Sequence, residues 1–263
     1  MRSAAEKTRK IFRMLPFSVQ TFMRRYVFRW LWAERLEIEE DLDHHHFTDS
    51  VALAHIARYK WVLPFLTGKY CLDDGCGTGY GTNYLSKHGI RIVGLDNSRR
   101  AIKHARQRFR ADNLEFAWAN ALHTDFPDDC FDAVLSFEVI EHLSPQDQRT
   151  YLREARRILR KEGQLYIGTP NRNANPLTGF NPYHKKELSF SEFQTMLEDY
   201  FTIKQHHTQA FIIDGTFIEK DLQEQFKSAD IALSEDNILI TRDMSRLGFE
   251  LLAICQKDPT THP

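Results

Sequence analysis

Between residues 69 and 170, short apolar runs alternate with amphipathic stretches, and that alternation predicts the fold. Strands are expected over residues 69–73, 90–96, 114–119, 131–137 and 164–169. Helices are expected over 80–88, over 99–109 and from Ser144 to residue 160. Ser98 caps the second helix, which places Ile102, Ala105 and Phe109 on one face. Ser144-Pro145 supplies a cap and a proline at the first helical position, and Gly163 is expected to stop that helix. Beyond Pro170 come an irregular stretch, a helix from Ser191, a strand near 201–205 and a closing strand over 249–256. Residues 206–245 fit no repeat of the pattern and read as an insertion. The strands number seven and alternate with helices, which implies an α/β fold. Its sheet should be doubly wound and mostly parallel, with helices on both faces. The expected divisions are a helical segment over 1–60, a main domain over 61–257 and a tail over 258–263.

Composition narrows the class. Apolar residues make up 42% of the 263 and charged ones 27%, with 32 aromatic side chains (19 Phe, 9 Tyr, 4 Trp), enough for a sizeable core. Lys and Arg total 35 against 36 Asp and Glu, so no whole-chain bias favours a nucleic-acid partner. Cys71, Cys76, Cys130 and Cys255 form no CxxC pair, and the start shows no cleavable signal pattern, so a reducing, cytoplasmic setting is expected. No apolar run approaches the roughly 20 residues of a membrane span.

The front of the chain departs from this balance. Arg2, Lys7, Arg9, Lys10, Arg13, Arg24, Arg25 and Arg29 face only Glu6, interleaved with Phe12, Phe17, Phe22, Tyr26, Phe28, Trp30 and Trp32. Such a segment suits either peripheral membrane contact through residues 1–35 or an aromatic face buried on the main domain. An acidic stretch (Glu34 to Asp43) and then His44, His45 and His46 follow; the histidines read as a solvated loop.

The candidate chemistry begins at Asp73-Asp74-Gly75-Cys76-Gly77-Thr78-Gly79, at the carboxyl end of the first strand. Open α/β sheets bind ligands there. Neither frame completes the dinucleotide pattern G-x-G-x-x-G/A, because the last position falls on Tyr80 or Thr82. A carboxylate before the glycines repels a pyrophosphate and suits a cationic ligand. Asp96 closes the second strand 23 positions after Asp73, where an acid accepts hydrogen bonds from ribose hydroxyls.

The run Leu72 to Gly79, followed by Gly94-Leu95-Asp96, resembles class I S-adenosylmethionine-dependent methyltransferases, across about residues 62–200. The resemblance implies a Rossmann-like fold and S-adenosylmethionine as cofactor. It implies that Asp73, Gly75, Cys76, Gly77, Thr78 and Gly79 border the methionine part, and that Asp96 holds the ribose. Asn97, Asn120, Ala121 and Phe137 join the cofactor-contacting set, with Asn120-Ala121 beside the adenine. Most relatives carry Asp at the position of Asn120, whose carboxamide oxygen still accepts from the adenine amino group. Asp74 stands where an apolar residue is usual and is expected to face solvent.

Directly after the fourth strand, Glu138, Glu141 and His142 share one face if the segment is helical or turn-like, and His184 follows downstream. Glu138, Glu141, His142 and His184 are similar in order to the metal-ligand set of small-RNA 2′-O-methyltransferases. They are also similar to the ExxEH pattern of ubiquinone-biosynthesis O-methyltransferases. Mg²⁺ or Zn²⁺ is the implied ion; His142, His184 and Glu138 serve equally as catalytic groups that position the acceptor and take its proton, or as pocket floor. The stretch from Thr169 onward is similar to the broad methyltransferase-domain 11/23 type. O-methylation of a small-molecule acceptor is the leading expectation. A membrane-associated quinone or lipid O-methyltransferase, an RNA 2′-O-methyltransferase and a non-enzymatic cofactor-binding scaffold are the alternatives.

Overall fold

The computed structural model describes residues 50–173, 183–213, 216–218, 235–245 and 247–258. The basic front segment, the triple histidine, Asn181-Pro182, much of 206–245 and residues 259–263 lie outside them. Helix α1 (Ser50–Val62) leads into β1 (Tyr70–Asp74), α2 (Tyr80–Lys87), β2 (Arg91–Asp96), α3 (Arg99–Arg108) and β3 (Leu114–Trp118). Then follow β4 (Phe131–Phe137), α4 (Pro145–Ile158), β5 (Leu159–Pro170), α5 (Phe190–Glu198) and β6 (Thr202–Ile213). Strands β7 (Thr216–Ile218), β8 (Ile238–Thr241) and β9 (Glu250–Gln256) complete the order.

The strands form one sheet in the order β3-β2-β1-β4-β5-β9-β6-β7, with β8 also paired to β6. Pairings from β3 to β5 are parallel, and β9 runs antiparallel to both β5 and β6. Strands β1 to β6 therefore share a direction, and the reversed strands lie at β9, β7 and β8. Among the described residues nine strands replace the expected seven, because β6 continues to Ile213 and β7 and β8 pair with it. The supposed insertion is in part an extension of the sheet. Its polar residues hid it: buried Thr208 donates to the Glu250 carbonyl and accepts from the Gly248 amide, and buried Gln209 donates to the Ala54 carbonyl. Polar side chains with such partners sit in a strand at little cost.

Gly163 does not stop α4. The helix ends at Ile158, and Gly163 lies inside β5, where register slips between Phe131 and Ala133 of β4. Caps at Ser98, Ser144 and Ser189 each accept from a backbone N–H in the first turn. The sheet is buried on its inner strands. Phe131, fully buried, stands between Tyr70 and Phe126 at ring distances of 4.8 and 5.0 Å. Burying one such ring contributes about 1.5–3 kcal/mol.

Because β1 neighbours both β2 and β4, the strand order reverses beside it. A crevice opens outside the carboxyl ends of strands at such a switch point. The glycine turn after β1, Asp96 after β2 and Glu138 after β4 all lie at those ends.

Candidate active site

The turn after β1 is pinned to β2. The amides of Gly75 and Cys76 both donate to the Leu95 carbonyl, at 2.8 and 2.9 Å. Gly75 has φ +87°, and a Cβ there would stand 2.3 Å from the Val139 side chain. Gly77 also has positive φ, but a Cβ there would meet nothing within 4 Å. The backbone at Gly77 is thus open on the side a ligand can approach. Its amide donates to Asp96 Oδ2 at 3.0 Å, while Asp96 Oδ1 accepts from the Ser98 amide at 2.7 Å. Each carboxylate oxygen keeps capacity for a further hydrogen bond, as a ribose diol requires.

The two acids of the turn sit deeper than the sequence suggests. Asp73 is 1% exposed and accepts from the Tyr59 hydroxyl and, at 2.6 Å, from the Thr82 hydroxyl. Burial pushes its carboxyl up to about 6, although those hydrogen bonds pull it down. Asp73 therefore supports the turn from beneath. Asp74, expected to face solvent, is 2% exposed, and burial pushes its carboxyl up to about 7, with the Asp73 charge adding to the rise and Tyr151 opposing it. Neighbouring strand residues point to opposite faces, and here both faces are covered. Thr78 and Cys76 are buried as well, and burial next to Asp73 and Asp96 raises the Cys76 thiol well above its usual range.

Just after β2, Asn97 is exposed and its carbonyl accepts from the Trp118 indole at 3.0 Å. Trp118, half exposed, pairs in register with Asp96 and carries the Arg99 guanidinium 4.0 Å from its ring. Sequence reasoning passed over Trp118, although an aromatic closing a strand beside an acid was the available signal. Asn120 is exposed and its side-chain oxygen accepts from the Leu122 amide at 3.0 Å, so half its capacity serves its own loop. Ala121 is half-buried beside it, and Phe137 is buried edge-on to Tyr59.

After β4 the chain makes a left-handed residue at Glu138 (φ +59°) and a short 3₁₀ turn, Ile140–His142. The turn-like segment forms, but Glu138 does not share its face, because its left-handed backbone turns it away from the turn that follows. Glu138 instead pairs with Arg58 at 3.1 Å. The ligating atoms of Glu141, His142 and His184 do come together, all within 4.8 Å of one another. Of the four expected ligands, the structure gathers three and diverts Glu138 to a different partner.

Each member of the trio is fixed by neighbours. Glu141 is fully buried; its Oε2 accepts from Thr169 at 3.0 Å, while Oε1 has no hydrogen-bond partner. That oxygen lies 3.9 Å from His142 Nε2. The Glu141 carbonyl accepts from the amides of Lys185 and Lys186, which brings His184 to the site. His142 Nδ1 lies 3.3 Å from the Tyr183 carbonyl, and the two imidazoles meet edge to face at 4.9 Å.

Helix α1 supplies what the sequence reading missed. His55 Nδ1 contacts the Tyr80 hydroxyl at 2.9 Å, Tyr59 holds Asp73, and Arg58 joins Glu138, Glu250 and Gln209. Burial would raise Glu138, but Arg58 and His55 outweigh it and hold the carboxyl down at about 2. Burial raises Glu141 and Glu250 well above the carboxylate range, with Glu138 adding to both; Arg58 opposes the rise at Glu250. Burial and Arg58 lower His55 to about 3, so it is a neutral ring. The signal was His55 and Arg58 set three apart among Leu53, Ile56, Tyr59 and Val62, a polar pair on an apolar helix face.

An open glycine turn at a switch point of the sheet, with an acid held beside it by two backbone amides, is the arrangement of a Rossmann-like ligand-binding domain. Residues 72–167 match the family model described as "Methyltransferase domain", and over this region the chain is similar to class I S-adenosylmethionine-dependent methyltransferases, whose cofactor is S-adenosylmethionine. It is 33% identical over 172 residues to a probable S-adenosylmethionine-dependent methyltransferase of Mycobacterium tuberculosis, covering 64% of this chain and 60% of that one. It is 29% identical over 140 residues to 27-O-demethylrifamycin SV methyltransferase of Amycolatopsis mediterranei, covering 49% and 51%. The fold is shared with the N-methyltransferase NodS of Bradyrhizobium japonicum, solved with S-adenosyl-L-homocysteine (TM-score 0.55, 20% identity, 87% and 97% covered). The matched region spans about 60% of the length of the Mycobacterium relative.

Proposed function

We propose that this domain transfers a methyl group from S-adenosylmethionine to an oxygen of a small-molecule acceptor bound beyond the end of β4. The observation that carries the reading is the Glu141–His142–His184 cluster, set after the strand that faces the donor. The reaction is an in-line displacement. S-adenosylmethionine would supply the methyl group and leave as S-adenosylhomocysteine when the acceptor oxygen displaces its sulfur, and the hydroxyl proton would pass to the imidazole of His142 or His184. Alignment of donor and acceptor supplies much of the rate enhancement. Gly75, Cys76, Gly77, Thr78 and Gly79 border the methionine part above Asp73, Asp96 takes the ribose hydroxyls, and Asn97, Asn120, Ala121 and Phe137 complete the nucleoside pocket. Ionised Glu138, held by Arg58, orients the acceptor.

The donor set also fits a divalent cation: one carboxylate with an unpartnered buried oxygen and two imidazoles. Two nitrogen donors favour Zn²⁺ over Mg²⁺. Glu141, His142 and His184 would hold it, and a bound cation lowers the pKa of a coordinated acceptor hydroxyl. In that form Glu138 stays outside the ligand set. The 27-O-demethylrifamycin SV relative supports oxygen as acceptor atom.

The same reading takes residues 61–257 as one methyltransferase domain with helices on both faces, since right-handed crossovers send β1-α2-β2 and β4-α4-β5 to opposite sides. Residues 1–35 would serve peripheral membrane contact; among the described residues no helix is long and apolar enough to cross a membrane.

The test is incubation of the full chain with labelled S-adenosylmethionine and a metabolite extract, with and without chelator, followed by mass spectrometry. An O-methylated product is expected, with less of it in chelator and recovery on adding Zn²⁺. Label appearing only on nitrogen or carbon would refute the oxygen assignment.

A further inference from the structure

We infer that Glu187 is a positioning residue that fixes the ring of His184 for cation binding, an inference that rests on the metal reading above. Glu187 Oε1 lies 2.6 Å from His184 Nδ1, and both side chains are shielded, at 17% and 6% exposure. A carboxylate at that distance accepts a proton carried on Nδ1. The imidazole is then held as the Nδ1–H tautomer, with its lone pair on Nε2, the nitrogen that serves as ligand.

The neighbouring ring is set the same way by a different group. His142 Nδ1 faces the Tyr183 carbonyl at 3.3 Å, and its Nε2 is the nitrogen nearer Glu141 Oε1, at 3.9 Å. A backbone carbonyl, like a carboxylate, accepts and does not donate. Both histidines of the trio thus have an acceptor behind Nδ1, and the third member presents a buried oxygen with no hydrogen-bond partner. Chain connectivity ties the parts together. Lys185 and Lys186 donate their amides to the Glu141 carbonyl, so the 184–187 segment that carries both His184 and Glu187 is anchored on the 3₁₀ turn holding the other two ligands.

The experiment uses the full chain stripped with chelator and titrated with Zn²⁺ in competition with a chromophoric chelator, beside Glu187→Gln, Glu187→Ala and His184→Ala. Co²⁺ absorption serves as a coordination signature, and calorimetry with S-adenosylhomocysteine checks that each variant is folded. Wild type should bind one equivalent. Glu187→Ala should weaken binding 10- to 100-fold, the scale for losing such an outer partner. Glu187→Gln should fall between the two, because its amide oxygen still accepts from Nδ1–H. Cofactor affinity should stay constant throughout. Equal Zn²⁺ affinity and equal Co²⁺ spectra in wild type and Glu187→Ala would overturn the role of Glu187 and leave the metal reading standing. No Zn²⁺ binding by wild type that still binds S-adenosylhomocysteine would end both.

Discussion

The Arg58 guanidinium lies 3.1 Å from the Glu138 carboxylate, and this contact ties α1 to the carboxyl end of β4. The pair is deeply placed: the Arg58 side chain is 1% exposed, and the same Nη1 also reaches Glu250 at 3.2 Å. Nε and Nη2 of Arg58 have no hydrogen-bond partner, so the guanidinium depends on these acids for compensation. Through Tyr59 and His55, the same helix also meets Asp73 and Tyr80 at the cofactor turn. The glycine turn after β1 and the end of β4 therefore rest on one helix.

Arg58→Ala should accordingly cost about 3–5 kcal/mol, the scale for stranding one member of a buried ion pair. Urea unfolding measures it. Arg58→Met combined with Glu138→Gln should recover much of the loss, and a single variant as stable as wild type would show that the pair is not needed.

Asp96→Ala should weaken S-adenosylhomocysteine binding by about 1.5–3 kcal/mol, the range for lost charge-assisted hydrogen bonds. Calorimetry reads this directly. Unchanged affinity would remove Asp96 from the ribose site.

Alanine at Gly75 and at Gly77 should fail differently. Gly75→Ala drives a methyl group into Val139 and lowers stability. Gly77→Ala meets no neighbour, so beyond roughly 1 kcal/mol of left-handed strain its effect should fall on cofactor affinity. Thermal shifts with and without S-adenosylhomocysteine separate the two. Equal losses of affinity and stability at both positions would contradict an open cradle at Gly77.

Asp74 makes a pH prediction. Its folded carboxyl sits near 7 against an ordinary value of 3.8, so the folded state holds a proton that the unfolded state has released. Its contribution is complete below about 4 and is lost as pH rises through 7. Wild type should therefore lose stability relative to Asp74→Asn between pH 4 and 7. A constant difference across that window, in urea titrations at each pH, would argue against the raised carboxyl.

The alternation of strands and helices from β1 to β5, the serine caps, the glycine turn and Asp96 were all legible in the sequence. Their causes are local: side-chain period, capping chemistry and the backbone freedom of glycine act within a few residues. Tertiary structure decided the rest. Whether Glu138 joined Glu141 and His142 depended on Arg58, 80 positions earlier in the chain, and on one left-handed residue after β4. Whether Asp74 met water depended on what covered the second face of the sheet, and whether residues 206–213 formed strand depended on partners at Ala54, Gly248 and Glu250. A charge or a polar side chain takes its meaning from the groups that surround it, and folding brings those groups from distant parts of the chain.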